Sequence, residues 1–215
     1  MNSALWVKIC GLMQPQQAVE IAQLGADAIG FICVPASPRY VTPPQIQAIS
    51  QVLAAACLDT VERVGVFANA SLATLTETIE IGQLTALQLH GQESPATCAR
   101  VRNAHPDLKL IKAFRIRSEA DLLAVTAYEE SVDRFLLDAY HPQQLGGTGQ
   151  TIDWPLLKTF QPSKPWLLAG GLTPDNIQAA LALLSPNGID LSSGLEVSPG
   201  NKSLAKVEKL FQQLR

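Results

Sequence analysis

Leu167-Leu168-Ala169-Gly170-Gly171-Leu172-Thr173-Pro174 holds one structural unit: an apolar strand, a glycine pair and a capped helix start. Short apolar runs suit parallel strands buried on both faces. A hydroxyl followed by proline suits an N-cap and first turn. Outward from this stretch the same unit recurs along the chain. Strands are predicted at Ala4–Cys10, Ala28–Ile32, Arg63–Phe67, Ala86–Leu89, Leu108–Phe114, Arg134–Leu137, Trp166–Ala169 and Gly188–Leu191. A helix is predicted after each: Pro15–Leu24, Pro43–Ala56, Leu72–Ile81, Pro95–Arg102, Glu119–Tyr128, Trp154–Phe160, Pro174–Leu184 and Ser203–Leu214. Thr42-Pro43 and Ser94-Pro95 repeat the capped start, and Gly25 marks the stop of the first helix.

Eight strand–helix pairs without a Pro/Gly/Ser-rich linker predict an α/β fold, a single (β/α)8 barrel spanning residues 1–215. An open doubly wound sheet is the alternative. It would need fewer strands or a second domain, and no G-x-G-x-x-G turn follows the first strand. At 215 residues and 47% hydrophobic the chain can build the core, and with only 6% aromatic residues that core is mainly aliphatic.

The bulk properties narrow the function. A net charge of −3 without a Lys/Arg cluster argues against a nucleic-acid surface. No run of eighteen apolar residues indicates a membrane span. The four cysteines form no C-x-x-C pair and the three histidines are scattered, so no metal site is expected. A reduced, cytoplasmic setting fits better than a disulfide framework.

In such a barrel the active site forms where strands end and βα loops begin. Chemistry-bearing residues collect at these junctions. Gly170-Gly171 alone reads as a tight turn. Together with Ser192-Ser193-Gly194 after the eighth strand it reads as a phosphate site held by backbone N–H groups and a helix N-terminus. Cys33, Cys57 and Cys98 read as small buried hydrophobes. Cys10 differs in place: it ends the first strand, with Gly11 behind it. Neighbouring positive charge would bring its thiol towards neutrality. Asp138 ends the sixth strand, before a long loop through Gly146-Gly147-Thr148-Gly149 that suits a cover over the site. A phosphate on loops seven and eight therefore lies between Cys10 and Asp138, an acid and a base flanking one sugar phosphate.

Arg39, after Ser37-Pro38, is either a solvated loop residue or a bidentate grip on a carboxylate. Gln88 and His90 share a strand parity and point into the barrel. His90 is a second candidate base. Lys8 shares the parity of Cys10, and closure of the barrel sets Asp190 beside it. A Lys8–Asp190 pair is therefore expected inside.

The chain resembles the phosphoribosylanthranilate isomerase family of tryptophan biosynthesis. The resemblance lies in Val7-Lys8-Ile9-Cys10-Gly11, Gly25 to Phe31, Ser37-Pro38-Arg39-Tyr40-Val41, Leu87-Gln88-Leu89-His90-Gly91, Leu136-Leu137-Asp138 with Gly146 to Gly149, Leu168 to Leu172, and Gly188 to Glu196 with Pro199-Gly200. It implies a (β/α)8 barrel that performs an Amadori rearrangement, aldose to ketose, with no cofactor. It implies Cys10 as general base and Asp138 as general acid, with Arg39 on the anthranilate carboxylate. Gln88, His90 and Asp190 line the substrate pocket, and Gly170, Gly171, Ser193 and Gly194 take the phosphate. The expected partner is the small phosphorylated sugar–anthranilate substrate, not nucleic acid or a membrane, and both monomer and homodimer fit. A pentose-phosphate epimerase, an indole-glycerol-phosphate synthase and a non-catalytic phosphate-binding barrel are the competing readings.

Overall fold

Eight parallel strands, each hydrogen-bonded to the next in sequence, close on themselves when the last pairs with the first. The computed structural model describes residues 5–139 and 153–215. The strands are β1 (Trp6–Cys10), β2 (Ala28–Ile32), β3 (Glu62–Phe67), β4 (Ala86–Leu89), β5 (Lys109–Ile116), β6 (Arg134–Ala139), β7 (Trp166–Leu168) and β8 (Gly188–Leu191). The expected barrel is thus observed, and Asp138 lies one residue inside the end of β6. The glycine-rich stretch from Gly146 to Gly149, with the expected cover loop at 145–150, lies outside the described residues.

The helices around the barrel are α1 (Pro15–Leu24), α2 (Pro43–Ala55), α3 (Leu72–Gly82), α4 (Pro95–Ala104), α5 (Glu119–Val125), α6 (Ile177–Leu183) and α7 (Leu204–Leu214). Local chemistry sets several ends. Ser94 Oγ accepts from Thr97 N at 3.2 Å, and Gln45 Oε1 reaches back to Thr42 N at 2.8 Å. Gly25, at φ +116°, closes α1 by donating to Ala22 and Ile21 carbonyls.

Three predicted helices are corrected. Between β6 and β7 the described residues form only a 3-10 turn, Trp154–Leu157, where a helix to Phe160 is expected. The segment is too short to sustain an α-helix before Pro162 and Pro165. The predicted fifth helix changes to a 3-10 turn at Thr126, whose hydroxyl bonds back to Leu123 O at 2.9 Å. α6 begins at Ile177 rather than Pro174. Asn176 competes with the helix there: its Oδ1 accepts from Thr173 N at 2.8 Å and its Nδ2 donates to Gly171 O at 2.9 Å.

The inside of the barrel is layered. Ala28, Val64, Ala86, Ile111, Ala113, Leu136, Leu167 and Ala169 form an aliphatic layer, with Trp6 packed on it. At the N-terminal end, Arg134 stacks 4.5 Å from the Trp6 ring centroid and holds Glu62 through two hydrogen bonds of 2.8 and 2.9 Å. The opposite end carries Lys8, Cys10, His90, Asp138 and Asp190. That end is where a parallel barrel places its chemistry.

Candidate active site

Lys8 is fully buried, and its ammonium has two partners: Asp190 Oδ2 at 2.9 Å and Gln88 Oε1 at 2.8 Å. The expected Lys8–Asp190 pair is present, in register between β1 and β8. Burial pulls the Lys8 ammonium down, but Asp190 and Cys10 outweigh it, and its pKa lies above the ordinary lysine value. Removing either member of the Lys8–Asp190 pair would strand a buried charge at a cost of about 3–5 kcal/mol.

Cys10 sits one inward position above Lys8, opposite Gly30 of β2. A Cβ on Gly30 would meet Cys10 Sγ at 2.6 Å and Lys8 Cε at 3.0 Å. The glycine thus clears the space that the thiol and the lysine stem fill. A glycine inside a strand is the sequence signal of such a close approach. Burial pushes the Cys10 thiol up, Lys8 and Lys202 pull it down, Asp190 pushes it up again, and the net lies above the ordinary thiol value. The expected lowering towards neutrality is therefore corrected: the positive charge is present, but desolvation outweighs it.

Gln88 is 1% exposed. Its Oε1 faces a lysine, which only donates, so its Nε2 is the atom 3.0 Å from His90 Nδ1. An amide N–H there makes Nδ1 the acceptor, and neutral His90 carries its proton on Nε2. Nε2 lies 3.4 Å from Asp138 Oδ2. That is within ionic reach, but the atom is not aligned as a hydrogen bond and has no other partner among the described residues. A ring with Nδ1 engaged and Nε2 protonated has no lone pair to take a proton. His90 as base therefore loses its support in this arrangement. Asp138 is itself fixed by Ala139 N, which donates to Oδ1 at 2.8 Å. Asp190 Oδ1 is buried without a partner among the described residues, a second polar atom left open in the mouth.

Arg39 is not a solvated loop residue. Its Nε lies 2.9 and 3.1 Å from the two Glu196 oxygens, and its Nη2 lies 2.6 Å from Oε2. Glu196 also accepts from Lys202 Nζ at 2.7 Å and from Gly200 N at 3.1 Å. Its hydrogen bonds from Arg39 and the nearby Lys202 overcome burial and hold its carboxyl below the usual range. A hairpin of β9 (Glu196–Ser198) and β10 (Asn201–Lys202) carries this clamp. Gly11, at φ +80°, lets the Arg39 stem cross beside Cys10, since a Cβ there would meet Arg39 Cδ at 2.9 Å. Sequence reasoning misses Gly30, Glu196 and Lys202. Glu196 carries a weak signal, a carboxylate just after the Ser193-Gly194 turn.

Gly170 and Gly171 both have positive φ, +82° and +60°. A Cβ on Gly170 would meet Ala139 N at 2.7 Å and Asp138 Oδ1 at 3.1 Å, so the glycine pair passes directly over the Asp138 carboxyl. A Cβ on Gly194 would strike Leu172 O at 2.0 Å, which packs the eighth loop against the seventh. The expected helix N-terminus behind Gly171 is corrected by the late start of α6; only loop N–H groups and the short turn Ser193–Leu195 are there.

A closed (β/α)8 barrel with a thiol, an imidazole and two carboxylates gathered at a mouth bordered by two glycine loops matches a class: the barrel enzymes that act on small phosphorylated sugars. The comparisons narrow it. The family profile described as N-(5′phosphoribosyl)anthranilate (PRA) isomerase matches residues 7–213. A relative from Acaryochloris marina, named N-(5′-phosphoribosyl)anthranilate isomerase, is 60% identical over 97% of each chain. The crystal structure of the Thermotoga maritima phosphoribosyl anthranilate isomerase superposes with a TM-score of 0.88 at 33% identity, covering 98% of both chains. A second such structure, in complex with reduced 1-(o-carboxyphenylamino)-1-deoxyribulose 5-phosphate, gives 0.82 at 31% identity and the same coverage. The chain belongs to the phosphoribosylanthranilate isomerase family, isomerases of tryptophan biosynthesis.

Proposed function

We propose that this mouth converts N-(5′-phosphoribosyl)anthranilate to 1-(2-carboxyphenylamino)-1-deoxy-D-ribulose 5-phosphate, with Cys10 as base and Asp138 as acid. Asp138, entering protonated, donates to the furanose ring oxygen as the C1′–O bond breaks. The anilino nitrogen lone pair becomes the C1′=N bond of a Schiff base. Cys10, as thiolate, removes the C2′ proton; the released electron pair forms C1′=C2′ and returns the C=N pair to nitrogen. The enolamine then gains a proton at C1′ and loses the enol proton to become the ketone. The observation that carries this reading is Cys10 and Asp138 in one mouth under the Gly170-Gly171 turn.

The other groups follow from what each has left to offer. Gly171 N and Ser193 N have no acceptor among the described residues and suit a phosphate. Asp190 Oδ1 suits a ribose hydroxyl. Arg39, side-on to Glu196, keeps its Nη1 end for the anthranilate carboxylate. Four unbridged cysteines fit a cytoplasmic setting.

The test follows the fluorescence of N-(5′-phosphoribosyl)anthranilate in metal-free buffer. Folded protein should consume it; a folded protein that leaves it intact overturns the reading. Arg39→Lys keeps the charge but loses the fork. A charge-assisted hydrogen bond is worth about 1.5–3 kcal/mol. Its loss should raise KM about 10- to 100-fold, with kcat much less affected. An unchanged KM would leave Arg39 as a structural partner of Glu196 alone.

A further inference from the structure

Gln88 is expected to touch substrate, yet its carboxamide is closed at both ends. Lys8 holds Oε1 and His90 Nδ1 takes Nε2–H, and the side chain is almost wholly buried. These contacts set a line across the mouth, hydrogen-bonded from Asp190 through Lys8 and Gln88 to His90, whose Nε2 lies 3.4 Å from Asp138. Cys10 adjoins one end of that line and the acid is the other. Every direction in it is fixed by one fact, that an ammonium cannot accept a hydrogen bond. Lys8 orients the Gln88 amide, and the amide orients the proton on His90.

We propose that Gln88 is a positioning residue for the acid: by locking His90 as the Nε2–H tautomer, it sets a neutral N–H donor against Asp138. This rests on the isomerase reading above and goes beyond it. The consequence is electrostatic. A protonated His90 would turn an Nδ1–H towards the Gln88 amide N–H, donor against donor, so the amide as placed fits only a ring that accepts at Nδ1. A cation at that distance would draw the proton off the carboxyl that must deliver it. A neutral N–H lets Asp138 keep its proton until the ring oxygen takes it, then steadies the carboxylate left behind.

The charged surroundings of the His90 ring are Asp138 on β6, Asp190 on β8, Lys8 and Cys10 on β1, and Lys112 and Arg115 on β5. β3 offers Val64 and Val66 there, its inward-facing Glu62 being tied to Arg134 at the other end of the barrel. Lys112 is tied to the backbone on both sides of His90: its Nζ bonds Leu89 O at 3.2 Å and Gly91 O at 3.0 Å, with Glu93 Oε2 at 3.2 Å. Asp190 is paired to Lys8. Asp138 Oδ2, at 3.4 Å, is the carboxylate oxygen within ionic reach of Nε2 among the described residues.

Gln88→Glu reverses the polarity of the lock, because a carboxylate accepts from Nδ1–H. The chain has three histidines, so nitrogen-15 NMR of the imidazoles, assigned with His90→Asn, reads the tautomer directly. The wild type should show His90 protonated at Nε2 only at neutral pH. Gln88→Glu should protonate Nδ1, and the alkaline limb of its kcat–pH profile should move down by about one to three units, as for a carboxylate given a cationic neighbour. Gln88→Met removes the lock without adding charge and should give a mixed tautomer, with the limb moved in the same direction but by less than in Gln88→Glu. A wild-type ring protonated at Nδ1 overturns the proposal. So does a Gln88→Glu protein, folded by circular dichroism, whose alkaline limb stays in place. The NMR measurement needs no substrate. A correct tautomer with no turnover on N-(5′-phosphoribosyl)anthranilate would sink the isomerase reading and leave the lock standing.

Discussion

Cys10→Ala is expected to lower kcat by about 10²–10⁴-fold, the usual contribution of one general base, while KM stays near wild type. In barrier terms this is about 2.7–5.4 kcal/mol. In the proposed reaction the thiol acts on the C2′–H rather than on the groups that hold the substrate, so the loss should fall on turnover. The fold should survive, because one buried sulfur is removed at a cost of roughly 1 kcal/mol, in a barrel closed by eight strand pairings. The pH dependence is the sharper readout. Burial holds the Cys10 thiol above its ordinary value despite Lys8. At pH values below that point the thiolate fraction, and with it kcat/KM, should climb about tenfold per pH unit. In Cys10→Ala the residual rate should lose this climb. A variant with near wild-type turnover, or one that retains the slope, would remove Cys10 as the base.

How far the sequence reaches depends on the range of the interactions. Strands and the first four helices are legible because each rests on local chemistry: apolar runs, Thr42 and Ser94 caps, Gly25 as a stop. The Lys8–Asp190 pair is legible too, although its partners stand near opposite ends of the chain. Closure makes β8 the neighbour of β1, and strand parity then fixes which side chains meet. The Arg39–Glu196 clamp is not legible. It joins a loop to a short hairpin outside the barrel, 157 residues apart, and neither has a barrel register to set parity. The start of α6 fails for a local reason. Thr173-Pro174 is a good cap signal, but the Asn176 side chain satisfies the same backbone groups by another route. The direction of the Cys10 shift escapes the sequence, which shows a charge nearby and does not show how dry the site is.

Asp138→Asn should cost about 10²–10⁴-fold in kcat as well, and its cause is more than a missing proton. Asn keeps the size of Asp and can still accept from Ala139 N through Oδ1. Its Nδ2 then faces His90 Nε2–H, two donors opposed at a contact of 3.4 Å in the wild type. His90 cannot relieve this by moving its proton to Nδ1, because the Gln88 amide occupies that side. The amide must therefore rotate or the ring must turn, and either movement disturbs the end of β6 beneath Gly170, where a Cβ would already lie 3.1 Å from Asp138 Oδ1. The proposed phosphate and carboxylate contacts lie elsewhere, so KM should change much less than kcat. The alkaline limb of the kcat profile, which reports the acid, should vanish, while the climb due to Cys10 stays. Adding Gln88→Glu to Asp138→Asn should recover none of the lost rate, since no proton is restored to the site. The same Gln88→Glu change in an Asp138-containing protein should move the alkaline limb and leave a measurable rate below it. If Asp138→Asn instead turned over substrate within tenfold of wild type, the acid would have to be sought outside β6.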